Sequence, residues 1–460
     1  MKKFIIFISS LSIIISTLIF PVSAQNYIDD LQKDNDVKLY CKVDYMESLD
    51  DGSVIFDRNS DTPVAPASLT KIMTALVTLK NVKDLNSTLT VDRAAIESLY
   101  GTGSSVAGLQ IGETLSYYDM LCCLLIPSGN DAAVALAVAV GGSTDNFVKM
   151  MNDTAKKIGC TKTHFDNPHG LDTPTHKTTA KDLALMAKEA LKYPAFETIV
   201  ACNTYDMPAT NMSNGRQLVN TNFLISPYRV TYYNENCKGI KTGSTDEAGK
   251  CLVSYASKDG YNYLAVAMGG DQIDTDSDGV TENQSFMDSN RMYDWAFNNL
   301  KYEVVTQENQ FVCSAPANYS WSTDSIRLVA KSEVLALVPQ GNNSESVSFE
   351  PIDLPDSFDA PIAKGDSMGK AKIMFAGQQI GTAELVAADD VKLSVLLYAW
   401  AKIKAMTHTK IFIALAIIVA GFILVYAALV IRAYKIRKKR REIKIVKYNE
   451  LHRNTQNKRK

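Results

Sequence analysis

Cysteine is scarce. There are eight in 460 residues, at positions 41, 122, 123, 160, 202, 237, 251 and 313, and none stand at metal-binding spacings. That pattern excludes a cysteine-ligated zinc site. Cys122 and Cys123 sit inside an apolar run, which reads as small buried hydrophobes, and a chain of this length needs no covalent staples. The even count leaves disulfides as the other reading. Long low-complexity tracts and internal repeats are also absent, so composition is that of a globular chain with room for two or three domains. Between residues 25 and 410 no apolar run is long enough to cross a bilayer. The "AAVALAVAV" stretch, 132–140, is too short and reads as a core helix closed by Gly141-Gly142.

The two ends differ from this interior. Residues 1–24 combine Lys2 and Lys3, the apolar run "FIIFISSLSIIISTLIF" and the small-residue exit "PVSA". This is the layout of a secretory signal peptide cleaved after Ala24, with an uncleaved anchor as the alternative. Residues 411–431, "IFIALAIIVAGFILVYAALVI", carry no charge and are long enough to span a membrane. Residues 432–460 hold 13 Lys and Arg against 2 Glu. A basic segment next to a span stays in the cytoplasm, so the body of the chain is expected outside it, with the tail near anionic headgroups. The overall charge of −2 therefore conceals a body of about −15, which argues against a nucleic-acid partner.

The body reads as strands at both ends with helices between. "VKLYCKVDYMESLDDGSVIFDRNSD" suggests two strands around an Asp-Asp-Gly turn. Helices are expected over 65–79, over "GETLSYYDMLCCLLI", over 132–140, at about 144–158 and at about 178–191, with a loop "THFDNPHGLDTPTH" between the last two. From Gly239 the pattern becomes antiparallel hairpins, and "FMDSNRMYDWAFNN" closes as a helix. The fold class is α+β: an antiparallel sheet with a helical cluster on it. From residue 301 short strands and turns indicate a small all-β domain.

The 65–79 helix raises a chemical question. It is apolar on nearly every side, yet Lys71 stands one turn into it, three residues after Ser68. Residues i and i+3 share a helix face. A desolvated lysine loses its proton readily, and a neutral amine within reach of a hydroxyl makes that serine a nucleophile. Ser68 at the start of the helix also benefits from the helix dipole. Ser-x-x-Lys is weak alone, and Ser367–Lys370 repeats it in what reads as a turn. Two further clusters add to it. "PSGND" holds Ser128 and Asn130, residues that also serve as helix caps. "GIKTGS" holds Lys241, Thr242, Gly243 and Ser244, which supply a cation and hydroxyls suited to a carboxylate, with a glycine for close backbone approach.

This trio, in this order, resembles the penicillin-binding proteins and serine β-lactamases. It is most similar to the low-molecular-mass penicillin-binding proteins, the serine-type D-alanyl-D-alanine carboxypeptidases. "ASLTKIMTAL", "LLIPSGNDAAVALA", "THFDNPHGLD", "GIKTGSTDEAG" and "DWAF" carry the likeness over 38–300, and "APIAKGDSMG" resembles the family's C-terminal domain. The resemblance implies a penicillin-binding transpeptidase-like fold, a linker at 25–37, a catalytic domain at 38–300, a β-domain at 301–395, a juxtamembrane helix at 396–410 and the span at 411–431. It implies that Ser68 attacks the bond between two D-alanines of a peptidoglycan stem peptide, with Lys71 as base and Ser128 as proton relay. Asn130 then holds the substrate amide and Lys241 supplies positive field. Thr242 and Ser244 offer hydroxyls to the terminal carboxylate beside Gly243, and the N–H groups of Ser68 and Ser244 form the oxyanion hole. No cofactor or metal is implied, and β-lactams are expected inhibitors.

There are departures and rivals. A full span with a basic tail replaces the amphipathic anchor usual in that family. "GGDQIDTDSDGVTEN" is acidic where relatives are often basic; its Asp274, Asp276 and Asp278 mimic the start of a calcium loop, but Ser285 stands at the twelfth position. His169, Asp172 and His176 could suggest zinc but lack helix-face spacing. A β-lactamase-like hydrolase is the enzymatic alternative, though "FDNPHGLDTPTH" contains no glutamate to drive deacylation. A non-enzymatic penicillin-binding sensor is the other, and its 29-residue tail is short for a signalling domain.

Overall fold

The computed structural model describes residues 37–275, 277–340, 347–375, 378–407 and 410–457; the signal-peptide segment lies outside the described residues. Contacts divide the chain into two compact units. One comprises residues up to 306 together with 333–350 and 372–382, and the other comprises 307–332, 351–371 and 383 onward.

The first unit is built on a five-stranded antiparallel sheet. Its strands are β1 (Val43–Ser48), β2 (Val54–Arg58), β3 (Cys237–Thr245), β4 (Gly249–Lys258) and β5 (Tyr261–Gly270), in the order β2-β1-β5-β4-β3. The two sequence-terminal halves thus meet at the β1–β5 pairing, where Tyr45 faces Val266. Both faces of the sheet are covered, so its central strands alternate between two cores rather than between core and water. Val253, Leu264 and Val266 point into the helical cluster, while Leu252, Ala256 and Ala265 pack with Trp295 and Phe56 on the other side. This explains why "CLVSYA" and "YLAVAM" read as near-continuous apolar runs.

The helical side comprises α1 (Thr70–Asn81), α2 (Tyr117–Leu125), α3 (Asn130–Gly141), α4 (Thr144–Lys157), α5 (Ala180–Leu191) and α6 (Pro194–Val200); α7 (Gln284–Asn299) covers the opposite face. α1 packs against α2, α3, α4 and α5 and is buried from Thr70 through Leu79, as an all-round apolar helix must be. Its neighbours are capped from their own sequence: Ser116 accepts from the Asp119 amide, Ser143 from Asn146 and Thr179 from Asp182. Gly142, at φ +74°, ends α3 in the left-handed conformation.

Three local differences from the sequence reading have physical causes. The 65–79 helix is split into a three-residue 3₁₀ turn, Ala67–Leu69, followed by α1, because Ala67 sits at φ +47°. The "GETLS" segment, expected helical, includes a strand, Thr114–Ser116, paired with Thr88–Thr90, so α2 begins only at Tyr117. Ser367 and Lys370 lie not in a turn but in the strand Ser367–Phe375. Residues three apart on a strand point to opposite faces, so this second Ser-x-x-Lys forms no pair.

In the second unit, Cys313–Pro316 pairs with Ser325–Leu328, Leu328–Ala330 pairs with Leu385–Ala387, and Ala317–Asn318 runs parallel to Phe358–Asp359. Helix α8 (Val395–Thr407) follows, then α9 (Lys410–Asn457). Among the described residues α9 is the one helix long and apolar enough to cross a membrane, and none of that apolar stretch is buried in protein. It does not stop at residue 431 but continues through the basic segment, whose Lys and Arg are good helix formers.

All eight cysteines are free thiols, and all but Cys202 and Cys313 are buried. A thiol reagent is therefore expected to label two cysteines in the native protein and all eight after unfolding without reductant. Fewer than eight in the unfolded protein means a disulfide.

Candidate active site

Ser68 is the middle residue of the 3₁₀ turn that feeds α1. Lys71 is fully buried one turn later, and its Nζ lies 2.8 Å from Ser68 Oγ and 2.9 Å from the carbonyl oxygen of His169. A neutral amine can donate to that carbonyl and keep its lone pair for the serine proton. Burial pushes the Lys71 pKa well below its ordinary value; the nearby charge of Lys241 adds to this, and Asp131 opposes it. Burial likewise pushes Lys241 down, to about 7. Two enclosed amines that repel each other favour one neutral member, and Lys71 is the one more strongly displaced.

The nucleophile turn is held from below by a chain of polar contacts. Thr70 Oγ1 donates to the Ala67 carbonyl at 2.8 Å, and His176 Nε2 lies 2.8 Å from the same hydroxyl. His176 Nδ1 accepts from the Asp166 amide at 2.9 Å, and burial lowers its pKa to about 4, so the ring is neutral and its Nε2 carries the proton. Thr74 Oγ1 donates to the Pro168 carbonyl at 2.5 Å. Gly170, at φ +94°, comes so close that a Cβ there would stand 1.8 Å from the Ala67 oxygen. The 164–178 loop is thereby pressed onto the turn, which brings the His169 carbonyl to Lys71.

Ser128 and Asn130 belong to the turn that opens α3. The N-cap there is Gly129 and no side chain caps the helix, so their side chains are not spent on the helix end. Ser128 sits at φ +66°, a conformation non-glycine residues seldom adopt. The Asn130 amide donates to the Ser105 carbonyl at 2.8 Å. Buried Asp131 accepts from the amides of Ala107 at 2.8 Å and Leu109 at 3.0 Å, fixing the neighbouring segment as a wall.

Lys241, Thr242, Gly243 and Ser244 lie along β3. At Gly243 the strand meets the nucleophile turn: an added Cβ would lie 3.1 Å from the Pro66 oxygen and 3.2 Å from the Ser68 nitrogen. Thr242 Oγ1 is 2.6 Å from Thr221 Oγ1, and Lys241 Nζ donates to the Thr242 carbonyl at 3.0 Å. Ser68 and Ser244 line two adjoining cavities. One, of ≈ 300 Å³, also takes in Ser128, Thr221, Thr242 and Lys250; the other, of ≈ 400 Å³, takes in Ser105, Asn130, His169, Asp172 and Asp246.

The structure thus gathers Ser68, Lys71, Ser128, Asn130, Thr242, Gly243 and Ser244 around one cleft. Lys241 is 1% exposed and lines neither cavity, so its amine lies behind the cleft rather than in it. His169, Asp172 and His176 do not converge. His176 has both ring nitrogens engaged, and His169 Nδ1 accepts from the Leu171 amide at 3.2 Å. The ligand-type groups found among the described residues are elsewhere: Cys41, Asp44 and Asp288 in one, Asp274, Asp278 and Glu282 in the other. The latter brings Glu282, not Ser285, beside the aspartates of the acidic loop. Thr221 and Lys250 are cavity residues that the motifs do not reveal. Of these two, Lys250 had a sequence signal, since it lies directly across the "TDEAG" turn from Ser244.

A family model for D-alanyl-D-alanine carboxypeptidase matches residues 37–272, just over half of the chain. The chain belongs to the D-alanyl-D-alanine carboxypeptidase family. A model for the C-terminal domain of penicillin-binding protein 5 matches residues 303–393 of this family member. It is 33% identical to D-alanyl-D-alanine carboxypeptidase DacF of Bacillus subtilis, over 75% of this chain and 84% of that protein. It is 29% identical to DacC of Escherichia coli, over 78% and 84%. Among solved structures, penicillin-binding protein 5 from Haemophilus influenzae aligns with a TM-score of 0.59 at 26% identity, covering 77% of this chain and 98% of that one. The family consists of serine hydrolases, and β-lactam binding is characteristic of it.

Two outcomes are expected of this carboxypeptidase from its buried amines. With Lys71 taken as the base, the rate of acylation by a fluorescent penicillin is expected to fall as pH drops through the lowered Lys71 pKa. Lys71→Arg, which keeps its proton, is expected to slow acylation at least about 100-fold across the range. Stability follows with the same sign. The unfolded chain binds more protons at these lysines than the native state does between the folded pKa, about 7 for Lys241, and the ordinary 10.5. Unfolding free energy contributed by Lys241 is therefore expected to rise with pH across that window, checked by urea melts of wild type against Lys241→Met at pH 7 and pH 9.

Proposed function

We infer that this enzyme removes the terminal D-alanine of peptidoglycan stem peptides through an acyl-enzyme on Ser68. The observation that carries this reading is the 2.8 Å approach of a buried lysine to a serine hydroxyl at the junction of two cavities. Lys71, neutral, takes the hydroxyl proton as Ser68 Oγ attacks the carbonyl between the two D-alanines. The oxyanion that forms is met by the N–H groups of Ser68 and Ser244. Ser128 passes the proton to the departing amine, the carbon–nitrogen bond breaks, and free D-alanine leaves. Water, activated by the same lysine, then attacks the ester and releases the shortened peptide and the serine. Asn130 orients the amide on the acyl side. Lys241 contributes positive field, and Thr242 and Ser244 offer hydroxyls to the terminal carboxylate beside Gly243. A β-lactam acylates Ser68 by the same route.

The arrangement in the cell rests on the ends of the chain. The apolar part of α9 anchors the protein in the membrane as a single span. The 13 basic residues that follow favour the cytoplasmic side, which puts the catalytic domain, 38–300, and the β-domain, 301–395, outside the cytoplasm.

The test is release of free D-alanine from diacyl-Lys-D-Ala-D-Ala by the full chain in detergent, beside Ser68→Ala. Release by wild type and none by the variant is the expected result. Penicillin binding without any D-alanine release would sink the carboxypeptidase reading in favour of a sensor, and rapid turnover of penicillin would favour a β-lactamase.

A further inference from the structure

The substrate in the proposed reaction ends in a free carboxylate, and neither motif lysine reaches the cavity that would receive it. Lys71 is buried, is needed neutral, and turns its Nζ to Ser68 and the His169 carbonyl. Lys241 is buried and turns its Nζ to the Thr242 carbonyl. Among the described residues, the cation that lines the ≈ 300 Å³ cavity is Lys250.

Several features aim it there. Lys250, the second residue of β4, stands directly opposite Ser244 of β3, and its Nζ donates to Ser244 Oγ at 3.1 Å. On its other side the register with β5 shifts between Lys250 and Leu252, so that Lys250 faces Gly270 and Leu252 faces Ala267. Such a bulge re-aims the side chain at that point. Gly249, at φ +67°, brings the start of β4 close to β5, where a Cβ would lie 2.9 Å from the Gly270 oxygen. No carboxylate among the described residues forms a salt bridge with Lys250; the nearby Glu247 pairs with Lys177 instead. With one N–H given to Ser244, the ammonium has two N–H groups left for a ligand. Because it donates to Ser244 Oγ, the Ser244 hydroxyl proton is free to point at the same ligand.

We propose that Lys250 reads the free carboxylate of the leaving D-alanine, with the Ser244 hydroxyl as the second donor. This rests on the carboxypeptidase reading and adds the residue that sets its selectivity for a free C-terminus. Lys250 takes no part in bond making. It anchors the carboxylate by a charge-assisted hydrogen bond, while Thr221, Thr242 and the aromatic faces of Phe223 and Phe286 close the rest of the cavity.

The experiment compares the full chain and its Lys250→Met and Lys250→Arg variants on diacyl-Lys-D-Ala-D-Ala and on the same peptide with a C-terminal amide. The expected result is a wild-type preference for the free acid that shrinks by about 10- to 100-fold in Lys250→Met, the size of a lost charge-assisted hydrogen bond. The loss should fall mainly on the free acid and be largely restored by Lys250→Arg. An equal loss on both peptides, an unchanged preference in Lys250→Met, or no recovery in the arginine variant would each overturn the assignment. Release by wild type of neither D-alanine from the acid nor D-alaninamide from the amide would instead overturn the underlying reaction, and the assignment with it.

Discussion

A lysine amine held out of water beside a serine hydroxyl is the constraint on which the rest of this site depends. An amine so enclosed is costly to keep charged, and everything around it is arranged to make neutrality tolerable and useful. α1 is buried from Thr70 through Leu79 because other helices pack around it, and this is what encloses Lys71. The amine's remaining hydrogen-bonding capacity is met by one backbone carbonyl, that of His169, which the loop can deliver only because Gly170 lacks a side chain. A second enclosed amine, Lys241, makes charging Lys71 harder still. The same burial that weakens the native state at neutral pH prepares the base, a local trade of stability for reactivity.

How much of this was legible in the sequence follows from how local each signal is. Strand and helix periodicities and the glycines that end α3 act within a few residues, and the α+β architecture could be read from them; the cap at Ser116 could not, because the segment before it pairs as a strand. Ser68 with Lys71, Ser128 with Asn130 and the Lys241–Ser244 run are equally local, and the fold brings these separate segments to one cleft. What the sequence hid is set by tertiary register. Thr221 meets Thr242 across the cleft with no sequence spacing to announce it. His176 was a zinc candidate on paper, yet its neutral ring buttresses the nucleophile turn through Thr70. The split of the 65–79 helix depends on Ala67 being forced into a left-handed conformation by neighbours distant in sequence.

The Ser-x-x-Lys repeat at 367–370 makes the same point from the other direction. The letters are those of the active pair, but a strand turns the two side chains apart. A motif carries chemistry only through the secondary structure beneath it, and in the first copy 3₁₀ turn and helix put Ser68 and Lys71 on one face, 2.8 Å apart.

The placement of Ser68 where two cavities adjoin bears on the fate of the acyl-enzyme. On the proposed route the amine half of the substrate departs while the acyl half stays tethered to Ser68, which lines both cavities. The vacated space is open to whatever nucleophile enters next. In the proposed reaction water completes hydrolysis, and the D-alanine just released is an amine that could attack the same ester. On the proposed acyl-enzyme route, released D-alanine that re-enters and attacks the ester would regenerate the starting peptide, so net trimming would depend on how fast free D-alanine is carried away.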